Sequence, residues 1–331
     1  MKSDNTSKII TFITTKLRKY FDDSKVSFFG VSVDPEDEQK EKVKQITPGI
    51  RYFWDFDRSV SYAYGASILE NPNLYIPFTL VLDPLLRVIA NIPFTDIERH
   101  NNALLGILNV LPEIDNHAAV PLNAPVLVLP RVFEPEFCKE LIKLYKKNGG
   151  MESGFMREKD GNTIGIIDYS FKRRQDFSFD IFAGLEDLRD IICAKLQRRL
   201  VPEIYKSFQF QVTRIERYVV ACYESEVGGF FRPHRDNTTK GTAHRRFACT
   251  INLNAEEYEG GDLRFPEFGT RTYRAPTGGA VVFSCSLLHE ATPVKSGTRY
   301  AFLPFLYDDA AAKIRDENKK FIKEEEIISP A

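Results

Sequence analysis

Nine consecutive residues, Arg246–Asn254, constrain what this chain can fold into more than any other stretch. Phe247, Cys249, Ile251 and Leu253 alternate with Arg246, Ala248, Thr250, Asn252 and Asn254. Successive side chains of a strand point to opposite faces, so this run predicts one buried face and one polar face lining a wet barrel interior or solvent. Further short apolar runs follow at Gly261–Phe265, Arg271–Arg274, Gly279–Ser284 and Thr298–Tyr307, separated by Gly and Pro turns. Two helical patterns precede them. Glu134–Lys147 opens on Pro135, closes at Asn148-Gly149, and repeats Phe137, Cys138, Leu141, Leu144 and Tyr145 on one face. Asp180–Ser207 carries Leu185, Leu188, Ile192, Leu196 and Leu200 at the same spacing. A strand at Ala124–Pro130 leads in. Two helices followed by many strands predict helices packed on a double-sheet jelly roll, a double-stranded β-helix, over residues 125–307. The remainder, 308–331, is highly charged and predicts a surface helix.

The N-terminal third has a different rhythm. Ile9, Ile10, Ile13 and Leu17 mark one face of a helix over Ser7–Phe21, and Val26–Val33 is a buried strand closed by Asp34-Pro35. Glu36–Gln45 predicts a solvated helix, and Thr79–Leu82 and Arg87–Ile92 predict strands around the turn Asp83-Pro84. A helix over Thr95–Val110, capped by Thr95, packs through Ile97, Leu104, Leu105 and Leu108. Such alternation predicts an α/β layer structure over residues 1–110. Leu111–Ala124, with Pro112, Pro121 and Asn123, reads as the linker, so the whole chain is expected to be an α+β protein of two domains.

Forty-five basic and 46 acidic residues nearly cancel, which removes any general electrostatic case for nucleic acid or an anionic membrane as partner. No apolar stretch approaches the roughly 20 residues that span a bilayer. Charges interrupt the first segment, so it lacks the apolar core of a signal peptide, and a cytoplasmic location is expected. Cys138, Cys193, Cys222, Cys249 and Cys285 are widely spaced within apolar or periodic segments and form no CxxC pair. They are expected to be buried free thiols in a reducing compartment.

Five histidines occur: His100, His117, His234, His244 and His289. His234-Arg235-Asp236 forms an H-x-D at the end of a strand pattern, and alternation puts both side chains on one side, where they can share an ion. His289 follows the buried strand Gly279–Ser284. Two imidazoles and one carboxylate make a facial triad that leaves positions open on the metal, which suits Fe(II) and oxygen chemistry. Arg299, ten positions after His289, lies on the next strand. A guanidinium buried near a metal needs an anionic partner, and its fork matches a carboxylate.

The runs carrying these residues are Tyr223 to Asp236 with its G-F-F-R-P-H-R-D, Arg246–Asn254, Gly260–Pro266, Gly278–Phe283 and His289–Tyr300. In this order and spacing the second half, from about residue 125 to 307, resembles the prolyl 4-hydroxylase-like branch of the 2-oxoglutarate/Fe(II)-dependent oxygenases. The resemblance implies iron held by His234, Asp236 and His289, and 2-oxoglutarate gripped by Arg299 with help from Tyr223. Ascorbate stands as a further cofactor candidate. It also implies O2 as cosubstrate and hydroxylation of an unactivated C–H bond in a peptide side chain or small molecule, with release of succinate and CO2. Arg299 stands where collagen-type members usually have Lys, and Asn252 where a Tyr is frequent, which puts a prolyl-peptide substrate in doubt.

The first third resembles part of a peroxiredoxin-type thioredoxin fold in Phe28–Glu38, Arg51–Ala66 and Ile76–Val88, with Pro77 at the position of that family's cis-proline. Peroxiredoxins attack peroxide with a cysteine thiolate, and no cysteine precedes Cys138. The resemblance therefore implies a truncated thioredoxin-like domain without redox chemistry, suited to scaffolding or to a homodimer contact. A non-catalytic metal-binding or sensing jelly roll, recruited through that domain, is the rival function. His244 and the polar segment 237–246 are expected at the surface or in a lid, where with Arg232 they are candidates for covering substrate.

Overall fold

The computed structural model describes residues 4–68, 71–179, 184–323 and 326–327. The chain divides into two units, Met1–Leu122 and Asn123–Ala331, at the end of the expected linker.

In the first unit a helix at Asp4–Thr15 continues as a 3-10 turn at Arg18–Tyr20, and a second helix spans Ile97–Val110. Ile9, Ile13, Leu17, Phe21, Leu104 and Leu108 from these segments share a core with Ile50, Tyr52 and Ile92. Phe28–Ser32 pairs in parallel with Ile50–Trp54, while Phe78–Leu82 and Val88–Pro93 form an antiparallel hairpin. Several sequence expectations need correction here. The Glu36–Gln45 helix reduces to Pro35–Gln39, because it has Asp34 as a cap but no apolar stripe to sustain it. The C-terminal helix is capped by Asp96, whose carboxylate accepts from the Arg99 N–H at 2.7 Å, and Thr95 lies outside it. The cis peptide bond lies at Thr47-Pro48, so Pro77 keeps the trans bond that X-Pro normally prefers.

The second unit is layered. A nine-stranded sheet contains, in order, Arg214–Glu216, Phe305–Tyr307, Phe247–Asn252, Thr298–Phe302, Val219–Glu224, Gln175–Ser178 and Met151–Glu152, with Ala280–Ser284 and Leu127–Leu129 branching from Phe247–Asn252. A five-stranded sheet orders Lys172–Arg173, Phe230–His234, His289–Ala291, Leu263–Arg264 and Thr272–Tyr273. The alternation along Val219–Glu224 explains how three layers form. Val220 and Cys222 join Cys249, Ile251, Val282 and Phe302 under the helices Pro135–Asn148, Glu186–Arg199 and Val201–Phe208. Ala221 and Tyr223 point the other way, onto Phe231 and Ala291 of the smaller sheet. Ala248, Val281, Phe283 and Phe305 likewise meet Leu263, Phe265 and Tyr273 across the gap between sheets. Both faces of Phe247–Asn252 are thus covered, the alternating one by the metal-side interior.

The long helix expected over Asp180–Ser207 is two helices, since Pro202 lacks the N–H needed to continue the first; residues 180–183 lie outside the described set. Thr298–Tyr307 is likewise split, into Thr298–Phe302 and Phe305–Tyr307, at Pro304. The stretch 151–178 holds strands that the helical and H-x-D patterns did not point to, including a hairpin, Phe155–Lys159 with Asn162–Ile167, turned at Asp160-Gly161. Asp309–Asn318 is the expected helix of the charged tail. No described helix is long and apolar enough to cross a membrane.

Phe302 is fully buried and its ring meets those of Phe133, Phe179 and Tyr218 at centroid distances of 5.7, 6.2 and 6.2 Å. It joins the helical layer to the large sheet. Phe302→Ala is expected to destabilise the second unit by about 3–5 kcal/mol through lost burial and a residual cavity, read as a lower urea midpoint with an unchanged slope.

Candidate metal centre and active-site cleft

The expected ligands converge through strand register. Phe230–His234 and His289–Ala291 pair antiparallel, and His234 stands directly opposite His289. The chain turns after His234, where the Asp236 N–H donates to the Cys285 carbonyl at 3.0 Å, and this brings the carboxylate back between the two rings. Asp236 Oδ1 lies 3.5 Å from His234 Nε2, and Oδ2 lies 3.3 Å from His289 Nε2. Two ligand atoms about 2.1 Å from one ion and roughly a right angle apart sit about 3 Å from each other, so this spacing fits a shared metal. Among the described residues this is the one His/Cys/Asp/Glu group with such spacing.

Each imidazole is oriented from behind. Nδ1 of His234 faces the Arg232 carbonyl at 2.7 Å, and Nδ1 of His289 faces the Leu287 carbonyl at 3.0 Å. A carbonyl only accepts, so each Nδ1 carries the proton and each Nε2 presents its lone pair inward. Phe231 stacks on His234 at 3.5 Å, and Phe283 packs edge-on against His289 at 4.6 Å. Burial drives the His289 pKa down to about 4, with Asp236 opposing and His234 reinforcing that shift. For Asp236 burial disfavours the charge, but the two imidazoles and Arg245 outweigh it and hold the carboxyl well below the usual range. The donor set is therefore a neutral His289 and an ionised carboxylate at neutral pH.

On the facing sheet Tyr223 and Arg299 are also a direct cross-strand pair. Arg299 is 2% exposed, its guanidinium lies 4.8 Å over the Tyr223 ring, and its Nε and Nη1 have no hydrogen-bond partner. Gly261, at φ 67, leaves room for the stem, since a Cβ there would lie 3.0 Å from Arg299 Cδ. Arg299, Tyr223, Thr250 and the three candidate ligands line one small cavity with Leu263, Phe283 and Leu303. A buried guanidinium with two idle donors costs several kcal/mol unless an anion completes it. The residues present thus fit a carboxylate-bearing ligand beside a metal.

The small cavity and a larger cleft of about 1080 Å³ share Arg217, Phe231, His234 and Asp236. Two carboxylates organise the cleft wall. Glu216 accepts from Arg245 Nε at 2.8 Å, meets His244 Nε2 at 2.9 Å, and lies 3.3 Å from Arg315 Nε. Asp176 accepts from Arg174 and Arg217 at 2.7 and 2.8 Å. Arg174 in turn donates to the Tyr223 hydroxyl at 3.3 Å, so the tyrosine lies between two guanidiniums.

His244 is 2% exposed, which overturns the surface-or-lid expectation for it. Nor is 237–246 a solvated loop: Thr239 and Thr242 close a capping box, both are buried, and Gly241 N–H donates to Thr163 Oγ1 at 2.8 Å. Paired donors and acceptors within the segment satisfy its backbone and let it pack. Thr238, Thr239 and Thr242 line the cleft. Arg232 is exposed and does not line it; its Nε donates to the Ser170 carbonyl at 2.6 Å. Of the other histidines, His100 is buried against Thr79 Oγ1 at 2.9 Å in the first unit.

Residues 218–307 match the 2OG-Fe(II) oxygenase superfamily. Among curated proteins the chain is similar to a PKHD-type hydroxylase of Hyphomonas neptunium, 27% identical over 158 residues, covering 46% of this chain and 67% of that one. It is also similar to a PKHD-type hydroxylase of Synechococcus, 28% identical over 141 residues, covering 41% of this chain and 58% of that one. Among solved structures, the viral collagen prolyl hydroxylase of Paramecium Bursaria Chlorella virus-1 aligns at 17% identity with TM-score 0.41, covering 56% of this chain and 96% of that one. A Pseudomonas putida prolyl-4-hydroxylase aligns at 17% identity and TM-score 0.41, covering 58% and 95%. The sequence matches support a 2OG-Fe(II) oxygenase, prolyl hydroxylase-like, in the second unit. They do not touch the thioredoxin-like reading of the first.

Glu216 provides a test of the cleft wall that needs no metal. Burial opposes its charge, yet His244 and Arg245 overcome this and lower its pKa to about 2. Unfolded Glu titrates near about 4.3, so the ionised group stabilises the fold at neutral pH, and that contribution fades as the pH falls from about 4 through about 2. Glu216→Gln is expected to cost about 3 kcal/mol at pH 7, because it leaves Arg245 and Arg315 without their counterion, and to flatten the acid limb of the stability curve. Denaturant melts across pH read both effects.

Proposed function

We propose that the second unit is an Fe(II)- and 2-oxoglutarate-dependent dioxygenase that hydroxylates a C–H bond of a peptide side chain or small molecule. The observation that carries this reading is the pair of idle donors on buried Arg299, in the cavity that also holds His234, Asp236 and His289. A metal-binding module without turnover has no use for a buried carboxylate anchor there, and this weighs against the rival reading as a sensor.

The overall reaction balances as C–H plus 2-oxoglutarate plus O2 giving C–OH, succinate and CO2. Iron, when bound, would supply the activation of O2 and the oxidising power for the C–H bond. The chain's own part is positioning. His234 and His289 offer fixed Nε2 lone pairs because their Nδ1 protons are committed to carbonyls. Asp236 offers the third donor. Arg299 would bind the distal carboxylate of 2-oxoglutarate, with Tyr223 under its guanidinium, while Leu263, Phe283 and Leu303 keep the cavity wall apolar and limit water. The first unit, on this reading, is a thioredoxin-like scaffold without a reactive thiol, since none of its residues is a cysteine.

His234→Ala and Asp236→Ala are each expected to abolish iron-dependent succinate formation from 2-oxoglutarate while leaving the circular dichroism spectrum in place. Undiminished turnover in either folded variant rejects the assignment. Arg299→Ala is expected to raise the KM for 2-oxoglutarate about 10–100-fold, the worth of a charged hydrogen-bonded pair of about 1.5–3 kcal/mol, with a smaller effect on kcat. An unaltered KM would place the cosubstrate elsewhere.

A further inference from the structure

Three neighbouring strands set three side chains in a row across the large sheet. Gln175–Ser178 pairs antiparallel with Val219–Glu224, with Gln175 opposite Cys222 and Asp176 opposite Ala221. One step further along that register Arg174 meets Tyr223, which in turn stands opposite Arg299. Phe177 and Val220 belong to the core under the helices, so alternation turns Arg174, Asp176, Ala221 and Tyr223 to the other face. Arg174, Tyr223 and Arg299 accordingly all line the small cavity beside the three candidate ligands.

The head of Arg174 is only partly committed to the protein. Its Nη2 donates to Asp176 Oδ2 at 2.7 Å and to Ser153 Oγ at 3.0 Å, and its Nη1 donates to the Tyr223 hydroxyl at 3.3 Å. Those bonds fix the guanidinium and leave over its Nε, which is buried and has no partner. At 7% exposure an idle N–H is costly unless a ligand accepts it. The contact with Tyr223 has a second effect. A phenol oxygen accepts through its lone pairs and donates a single proton. With Arg174 donating to that oxygen, the proton points elsewhere, and among the described residues none accepts it.

Charge leads to the same place. Two guanidiniums flank one phenol ring, their carbons 4.8 Å (Arg299) and 5.8 Å (Arg174) from its centroid. Like charges held this close repel until an anion serves both. Asp176 lines the large cleft rather than the small cavity, and one of its oxygens already serves Arg174 and Arg217. Arg299 Nε and Nη1 have no partner at all. Three N–H groups and one O–H are thus left for an acceptor inside the small cavity. A carboxylate has two oxygens and about four lone-pair sites, enough to take a donor from each of the three residues.

We propose that Arg174 is a second anchor for the cosubstrate: its Nε donates to the distal carboxylate of 2-oxoglutarate that Arg299 also binds, and its Nη1 turns the Tyr223 proton onto the same group. The identity of the ligand rests on the oxygenase reading; the role of Arg174 goes beyond it. The two arginines together select a 2-oxo acid that ends in a carboxylate. One ending in a methyl group would leave their donors buried and unpaired.

The test uses the full-length chain loaded with manganese(II) and kept anaerobic, so that no turnover occurs. Calorimetry compares 2-oxoglutarate with 2-oxopentanoate, the same carbon chain with a methyl group in place of the distal carboxylate. The readout is the ratio of the two dissociation constants. A disturbed fold or metal position weakens both ligands alike, whereas a lost carboxylate donor moves the ratio. Arg174→Gln is expected to lower the preference for 2-oxoglutarate about tenfold, the worth of one charged hydrogen bond. Arg174→Lys keeps a cation for Asp176 but places no N–H at the Nε position, and should lower the preference as well. Should the glutamine variant not fold, the lysine variant decides. Tyr223→Phe should cost less preference on the Arg174→Lys background than on the unmodified chain, because the arginine turns the hydroxyl inward. A preference unmoved by Arg174→Lys overturns the proposal, and strict additivity with Tyr223→Phe overturns its second half. The oxygenase reading is tested separately on the same samples. No preference for 2-oxoglutarate in the unmodified chain removes both claims, while a preference lost in Arg299→Ala but kept in the Arg174 variants removes this inference alone.

Discussion

The site depends on two strand registers, one in each sheet. His234 opposite His289 sets the metal side, and Tyr223 opposite Arg299 sets the anion side. A slip of one residue in either pair would turn the side chains onto the wrong face, since the side-chain period of a strand is two. The registers are secured by what lies behind them. Val220, Cys222 and Phe302 flank Tyr223 and Arg299 in their strands and are buried under the helices, so a slip there would expose core residues. Hydrophobic packing on one face of the large sheet thereby fixes polar chemistry on the other.

Charge is the second constraint. Lys172, Arg174, Arg217, Arg245 and Arg315, on the walls of the cleft and of the small cavity, would repel one another without internal counterions. Glu216 and Asp176 supply them, each serving several basic groups at once. Burial opposes ionisation of Asp176, and Arg174, Arg217 and Lys172 override it, so the carboxyl stays charged. Burial with the neighbouring guanidinium of Arg174 pushes the Lys172 ammonium in the other direction, well below its usual pKa.

Much of this was legible in the sequence, and the reasons are physical. Arg246–Asn254 announced its strand because its two faces meet different surroundings, apolar helices on one side and the metal-side interior on the other. The H-x-D, His289 and Arg299 stood out because few histidines are present and because those residue types do a recognised job together. Lys172, Arg174 and Asp176 were not found, although they alternate with Arg173, Gln175 and Phe177 in the manner of a strand. Charged residues are mostly exposed, so nothing in the alternation marks this set as buried. Glu216 and Arg217 belong to their groups only through tertiary contacts with His244, Arg245 and Asp176, which no spacing rule reaches. His244 was misplaced for the same reason: a polar neighbourhood in sequence became a satisfied, buried one in space.

The central claim is that three side chains, from two paired strands and the turn that follows the first of them, meet at a single metal position next to an anion anchor. Crystals grown with manganese(II) and 2-oxoglutarate test it most directly, by anomalous scattering from the metal. The account predicts one strong peak bounded by His234 Nε2, His289 Nε2 and an Asp236 carboxylate oxygen, with dicarboxylate density running from it to Arg299. A peak elsewhere, or Arg299 closed on a protein carboxylate with no ligand beside it, would contradict the account.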